Sequence, residues 1–72
     1  MADEVMPEVV EWLAGYAERL GVSAPTPEEV ETLLKVAGAA ARACARQAAP
    51  VACWLAARGG VSPDRALELV SE

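Results

Sequence analysis

Residues 42–50 read Arg-Ala-Cys-Ala-Arg-Gln-Ala-Ala-Pro. This stretch decides the fold, because it sets a proline against strongly helical sequence. Inside a helix a proline removes a backbone hydrogen bond and clashes with the carbonyl four residues back, at a cost of about 3 kcal/mol. It also pushes the preceding residue, here Ala49, away from the helical region. The second helix is therefore expected to stop near Ala48, and Pro50 to begin a third.

Upstream, Thr26 is suited to cap a helix, Pro27 to take its first position, and Glu29 to complete a capping box. Val30, Leu33, Leu34, Ala37, Ala41, Cys44 and Ala48 follow at helical spacing. This predicts helix two over 27–48, the longest element. Its middle, Val36 to Ala45, is built of small residues. Alanine is the best helix former, and that alone accounts for the run. The alternative is a close helix crossing near Gly38 or Ala41.

Before Thr26, Val9, Leu13, Tyr16 and Leu20 recur at helical spacing beside Trp12, after Pro7 and before a stop at Gly21. Helix one is expected over 7–20. After Pro50, the pattern Val51, Trp54, Leu55 runs to Gly59-Gly60 and predicts helix three over 50–58. Ser62-Pro63-Asp64 repeats the cap-and-proline start, so helix four is expected over 63–71. No segment alternates like a strand. The reading is an all-α, single-domain chain, a compact bundle of four short helices. Val9, Leu13, Leu20, Val30, Leu33, Leu34, Ala37, Ala41, Val51, Trp54, Leu55 and Leu67 are its expected core, with Pro50, Trp12 and Trp54 as structural residues.

The core is thin for physical reasons. A chain of 72 residues buries only roughly 60% of the surface its unfolded form exposes. Just three residues are aromatic, and the many alanines add little buried area. A second copy or a partner is expected to complete it.

The net charge of −5 argues against a nucleic-acid module. Between Thr32 and Ser62 stand Lys35, Arg42, Arg46 and Arg58 with no acid, while all eleven acids lie in the flanks. No apolar run approaches the 20 residues of a membrane span. The acidic N-terminus carries no secretory pattern. A cytoplasmic protein with reduced thiols is expected.

Little here carries chemistry. Histidine is absent, so serine–histidine and cysteine–histidine mechanisms are excluded as ordinarily built. Cys44 and Cys53 make no metal box. No metal, cofactor or enzymatic activity is expected. Cys44 reads as a small buried hydrophobe. Cys53 reads the same way, with the alternative that a nearby helix start and arginines lower its pKa. Arg42 and Arg46, four apart, would share a helix face. If the chain turns at Pro50, they approach the start of helix three, where free amides and guanidinium groups could hold an anion. The other reading leaves both arginines on a solvated face.

The order of residues in "EWLAGYAERLGV" and "LLKVAGAAARACARQAAPVACWLAARGG" resembles a small all-helical actinobacterial domain of no established function. That domain occurs alone, or fused to or encoded beside proteins like the molybdenum cofactor guanylyltransferase. The resemblance spans Glu11 to Gly60 and rests on Trp12, Leu20-Gly21, Leu33-Leu34, Arg46, Ala49-Pro50 and Leu55. It implies a ligand or partner contact at Arg46 and a turn at Pro50. This chain departs from the pattern at Arg42, where a histidine is frequent, and at Gln47, where a proline is common. Ala52 and Cys53 replace the usual hydroxyl residues.

The function expected is a non-catalytic accessory or protein-interaction module. It self-associates as a homodimer and serves molybdenum cofactor biosynthesis. The alternative is a small-molecule binding protein holding a phosphate-bearing ligand near Arg46 and the helix-three N-terminus. A third option is docking of the last amphipathic helix in a partner's groove.

Overall fold

The computed structural model describes residues 5–70. These form four α-helices: α1 (Pro7–Leu20), α2 (Pro27–Ala43), α3 (Ala48–Arg58) and α4 (Pro63–Val70). The all-α class holds, and α2 is the longest, at 17 residues. The chain divides into two units, the first ending at Glu31 and the second beginning at Thr32. The break falls within α2.

In the first unit, Pro7 opens α1, and the Met6 carbonyl accepts from the Val9 and Val10 amides at 3.0 and 3.2 Å. The helix ends at Gly21, whose φ of 76° is open to glycine at little cost. The Gly21 amide donates to the Glu18 carbonyl at 3.1 Å, and the Val22 amide to the Ala17 carbonyl at 3.0 Å. Both bonds together make a Schellman stop. The start of α2 carries the expected capping box. Glu29 N–H donates to Thr26 Oγ1 at 3.0 Å, and Thr26 N–H donates to Glu29 Oε1 at 2.9 Å. Ala17 and Val30 are the buried residues of this unit.

The second unit departs from expectation at the turn. Helix α2 ends at Ala43, five residues before Ala48, with a last bond from the Cys44 amide to the Ala40 carbonyl at 3.0 Å. Helix α3 begins at Ala48, two residues before Pro50. The proline thus occupies the third position of α3. The reason is local. In the first turn of a helix the missing N–H has no intrahelical partner to lose. The break moves upstream to residues 44–47, and Ala49 stays helical despite the proline after it. Two tight bonds replace the lost ladder, from the Ala48 amide to the Ala45 carbonyl at 2.9 Å and from the Ala49 amide to the Arg46 carbonyl at 3.1 Å.

Helix α3 stops as α1 does. Gly60 has φ 71°, its amide donates to the Ala57 carbonyl at 3.1 Å, and the Val61 amide donates to the Ala56 carbonyl at 3.4 Å. Ser62 then caps α4 by accepting the Arg65 amide on Oγ at 3.1 Å. Helix α4 is followed to Val70; residue 71, its expected end, lies outside the described residues. Helix α3 packs against α4. The Cys53 thiol reaches the Leu33 carbonyl of α2 at 3.8 Å.

The core differs most from expectation. Of the twelve residues expected to dominate it, Val30 alone is buried; in the second unit the buried residues among those described are Val36, Ala40 and Ala66. Leu34 is exposed, while Leu33, Ala37 and Ala41 are half-buried, so the inward face of α2 is turned about one residue from the predicted stripe. In α3 the order is inverted. Ala49, Ala52, Cys53 and Ala56 are half-buried, whereas Val51, Trp54 and Leu55 are exposed. Small residues on the inner side permit close packing, which leaves the bulky ones outside.

Candidate functional site

Arg42 and Arg46 do not share a helix face. Arg42 lies in the last turn of α2, and Arg46 lies in the link beyond it. Both are exposed. The Arg42 guanidinium folds back along α2, and a Cβ placed on Gly38 would meet its Nη1 at 3.2 Å. What covers Gly38 is therefore its own helix's arginine, where a second helix was one of the two expectations. The start of α3 offers few free amides: those of Ala48 and Ala49 are bonded to Ala45 and Arg46, and Pro50 has none. No acid sits beside either arginine in an ion pair among the described residues, where Arg65–Glu68, an exposed i,i+3 pair at 3.0 Å, is the pair formed.

The cysteines separate. Cys44 follows the last turn of α2 and is exposed, a correction to its expected place on a buried stripe. Cys53 is half-buried, and burial pushes its thiol pKa up from the ordinary value. This is the opposite of the activated alternative. No metal-competent group of three or more side chains occurs among the described residues.

Both tryptophans stand in water. On α1, Trp12 is 61% exposed and stacks on Tyr16 with ring centroids 5.2 Å apart. The Arg19 guanidinium follows at 5.7 Å from the Tyr16 ring. Val9, Trp12, Tyr16 and Leu20 together form an exposed apolar stripe. On α3, Trp54 is 59% exposed with Arg58 over its ring, and Val51 and Leu55 flank it. Trp54 is thus outside the core it was expected to help fill, and Trp12 is at the surface as well. A tryptophan at the surface needs no buried partner for its ring N–H, as one in an apolar core would.

Beside the α3 face lies an apolar cleft of about 350 Å³ within the second unit. Val36 of α2, Leu55 of α3, Val61 of the link and Ala66, Leu69 and Val70 of α4 line it. Sequence reasoning did not find this cleft. The one signal for it was the side-by-side placement of Ala52 and Ala56 with Val51 and Leu55, which shows two faces but not which is inward. Chemically the cleft suits an apolar group: it carries no titratable side chain. No described helix is long and apolar enough to cross a membrane.

No curated protein and no solved structure matches the chain significantly. A family model described as a domain of unknown function, DUF6457, matches residues 4–68. That span covers all four helices but for the last two residues of α4, so the chain belongs to the DUF6457 family.

Proposed function

We propose that the chain is a non-catalytic accessory and protein-interaction module that works through the apolar helix faces it leaves in water. The observation that supports this reading best is that Trp12, Tyr16 and Trp54, all of its aromatic residues, are exposed at 61, 44 and 59%. Aromatic side chains supply much of the binding energy of protein interfaces. The resemblance to an actinobacterial domain suggests the partner class, a molybdenum cofactor guanylyltransferase-like protein, and the compartment in this reading is the cytoplasm. Calorimetric titration of the full chain into such a protein tests this. Saturable binding that the Trp12→Ser/Trp54→Ser variant loses, with helicity unchanged, supports the reading. No binding, together with a chain that stays monomeric at high concentration, overturns it.

A second reading rests on a different observation: Arg42 and Arg46 are exposed in a stretch without acids from Thr32 to Ser62. In it the link between α2 and α3 holds a phosphate-bearing small molecule. Titration with a nucleotide or a pterin phosphate tests it, with Arg42→Ala and Arg46→Ala as controls. Undiminished binding by both variants removes the arginines from the site.

A further inference from the structure

We infer that the exposed face of α1 takes an arginine-bearing apolar segment of a partner protein, with the guanidinium seated between the Glu8 carboxylate and the open side of the Trp12 ring. The inference rests on the interaction reading above and names the chemistry of the partner and the face that meets it.

Four side chains of α1 follow one another at about one-turn spacing: Glu8, Trp12, Tyr16 and Arg19. Tyr16 stacks on Trp12 with 5.2 Å between centroids, and the Arg19 guanidinium lies 5.7 Å from the Tyr16 centroid. Among the described residues Tyr16 carries Arg19 and Trp54 carries Arg58, and Trp12 is the one aromatic ring with no cation over it. With Tyr16 stacked on one side, an exposure of 61% puts the rest of the indole in water. The next position along the row holds an acid, Glu8. The face of an aromatic ring is the negative part of its quadrupole, so a carboxylate one turn away gains nothing from it. A cation placed between the two is attracted by both.

The surrounding charge calls for that cation to come from outside. Glu8 and Glu11 are exposed, and among the described residues neither carboxylate is engaged in an ion pair or hydrogen bond. The segment up to Glu31 holds eight acids and one base, Arg19, a net charge of −7, and that base is already on Tyr16. Such a segment repels phosphate groups, which rules against a nucleic acid or an anionic membrane. Among protein cations arginine fits better than lysine. Its planar guanidinium stacks on a ring and offers a fork of N–H donors to a carboxylate. Val9 and Leu20 are exposed on the same stripe, so the segment that brings the arginine must bring apolar side chains with it.

Two-dimensional NMR of the isotope-labelled full chain tests this, because its two tryptophans give two indole N–H signals. The probe is a helical peptide with arginine and leucine one turn apart, beside matched peptides carrying lysine or glutamate in place of arginine. The expected result is a saturable shift of the Trp12 signal by the arginine peptide, a weaker response to lysine and none to glutamate. Glu8→Gln and Trp12→Leu each weaken binding by about tenfold, followed for the second on the backbone amides of α1. Trp54→Leu leaves binding unchanged, and added salt weakens it. All three substituted side chains are exposed, so circular dichroism should show the helices retained. The absence of a saturable shift at millimolar arginine peptide overturns the inference. So does a shift confined to Trp54, undiminished binding by Glu8→Gln, or a lysine peptide that binds equally well. Any of these leaves the interaction reading standing if the guanylyltransferase-like protein is bound and Trp54→Ser abolishes that binding.

Discussion

Arg58 places its guanidinium carbon 4.7 Å from the centroid of the Trp54 ring, one helical turn away on the same exposed face of α3. A cation over an indole at an exposed site contributes about 0.5–1 kcal/mol. The largest side chain of α3 is thus ordered in water and contributes little to the core. Arg19 and Tyr16 repeat the relationship on α1.

Stability and surface should therefore separate on mutation. Val36→Ala, at a site 2% exposed, is expected to cost about 2 kcal/mol. Trp54→Ala, despite removing far more atoms, is expected to cost about 1 kcal/mol or less. Urea unfolding of the two variants under conditions where the chain is monomeric checks this. A larger loss for Trp54→Ala would mean that the ring is part of the core.

The capping box predicts a local effect at α2. Thr26→Ala removes the acceptor for the Glu29 amide and should cost about 1 kcal/mol, read as a lower midpoint in thermal unfolding. Glu29→Gln preserves a side-chain acceptor for the Thr26 amide and should lose only a few tenths of this. Equal losses from both would place the effect in charge at the helix start instead.

The stops at Gly21 and Gly60 should resist substitution for a backbone reason. At neither position would an added Cβ meet another atom within 4 Å, so crowding is absent. The φ values of 76° and 71° still impose about 1–2 kcal/mol on any residue with a Cβ. Gly21→Ala and Gly60→Ala should each lower stability by about that amount, while Gly15→Ala, inside α1 and equally uncrowded, should raise it by up to about 1 kcal/mol.

Pro50→Ala should lengthen the helical stretch. In an unbroken helix an amide at residue 50 could donate to the Arg46 carbonyl, and the ring clash that a proline would bring there is absent. The link at residues 44–47 is then free to join α2 to α3, and far-UV circular dichroism should show greater helicity. Unchanged ellipticity would mean that packing in the second unit, not the proline, sets the break.

The two thiols should differ in reactivity. Cys44 is exposed and should react first with a maleimide at neutral pH, while Cys53 reacts slowly because burial holds it protonated. The raised pKa also fixes a direction with pH. Between the unfolded and folded pKa values the folded state keeps a proton that the unfolded chain releases. The Cys53 contribution is fully present below the ordinary thiol range and is lost as pH rises through the folded value. Stability should thus fall above about pH 8.5, and Cys53→Ala should flatten that fall.

The helix ends were legible because the signals that make them are local. Thr26 with Glu29, Pro7, Pro27 and Pro63 as first residues, and Gly21 as a stop, act across one turn of chain, and the structure places each as read. The link at Cys44–Gln47 was read five residues late. A proline is tolerated anywhere in a first turn, so Pro50 marks a break without fixing its distance. That slip carried the arginines with it. Once α2 ends at Ala43, Arg42 and Arg46 have no common face, and the Ala48 and Ala49 amides are spent on the turn.

By itself the sequence determined four helices, where α1, α2 and α4 begin, and the absence of histidine chemistry, since caps, prolines and composition operate without reference to distant residues. Only the tertiary structure decided which side of each helix is inward. Alanine fits a core and a surface almost equally well, so in α3 a face of Ala49, Ala52 and Ala56 can turn inward and leave Val51, Trp54 and Leu55 outside. Packing among α2, α3 and α4 settles that choice over long sequence distance, and with it the position of the cleft and of the apolar surface.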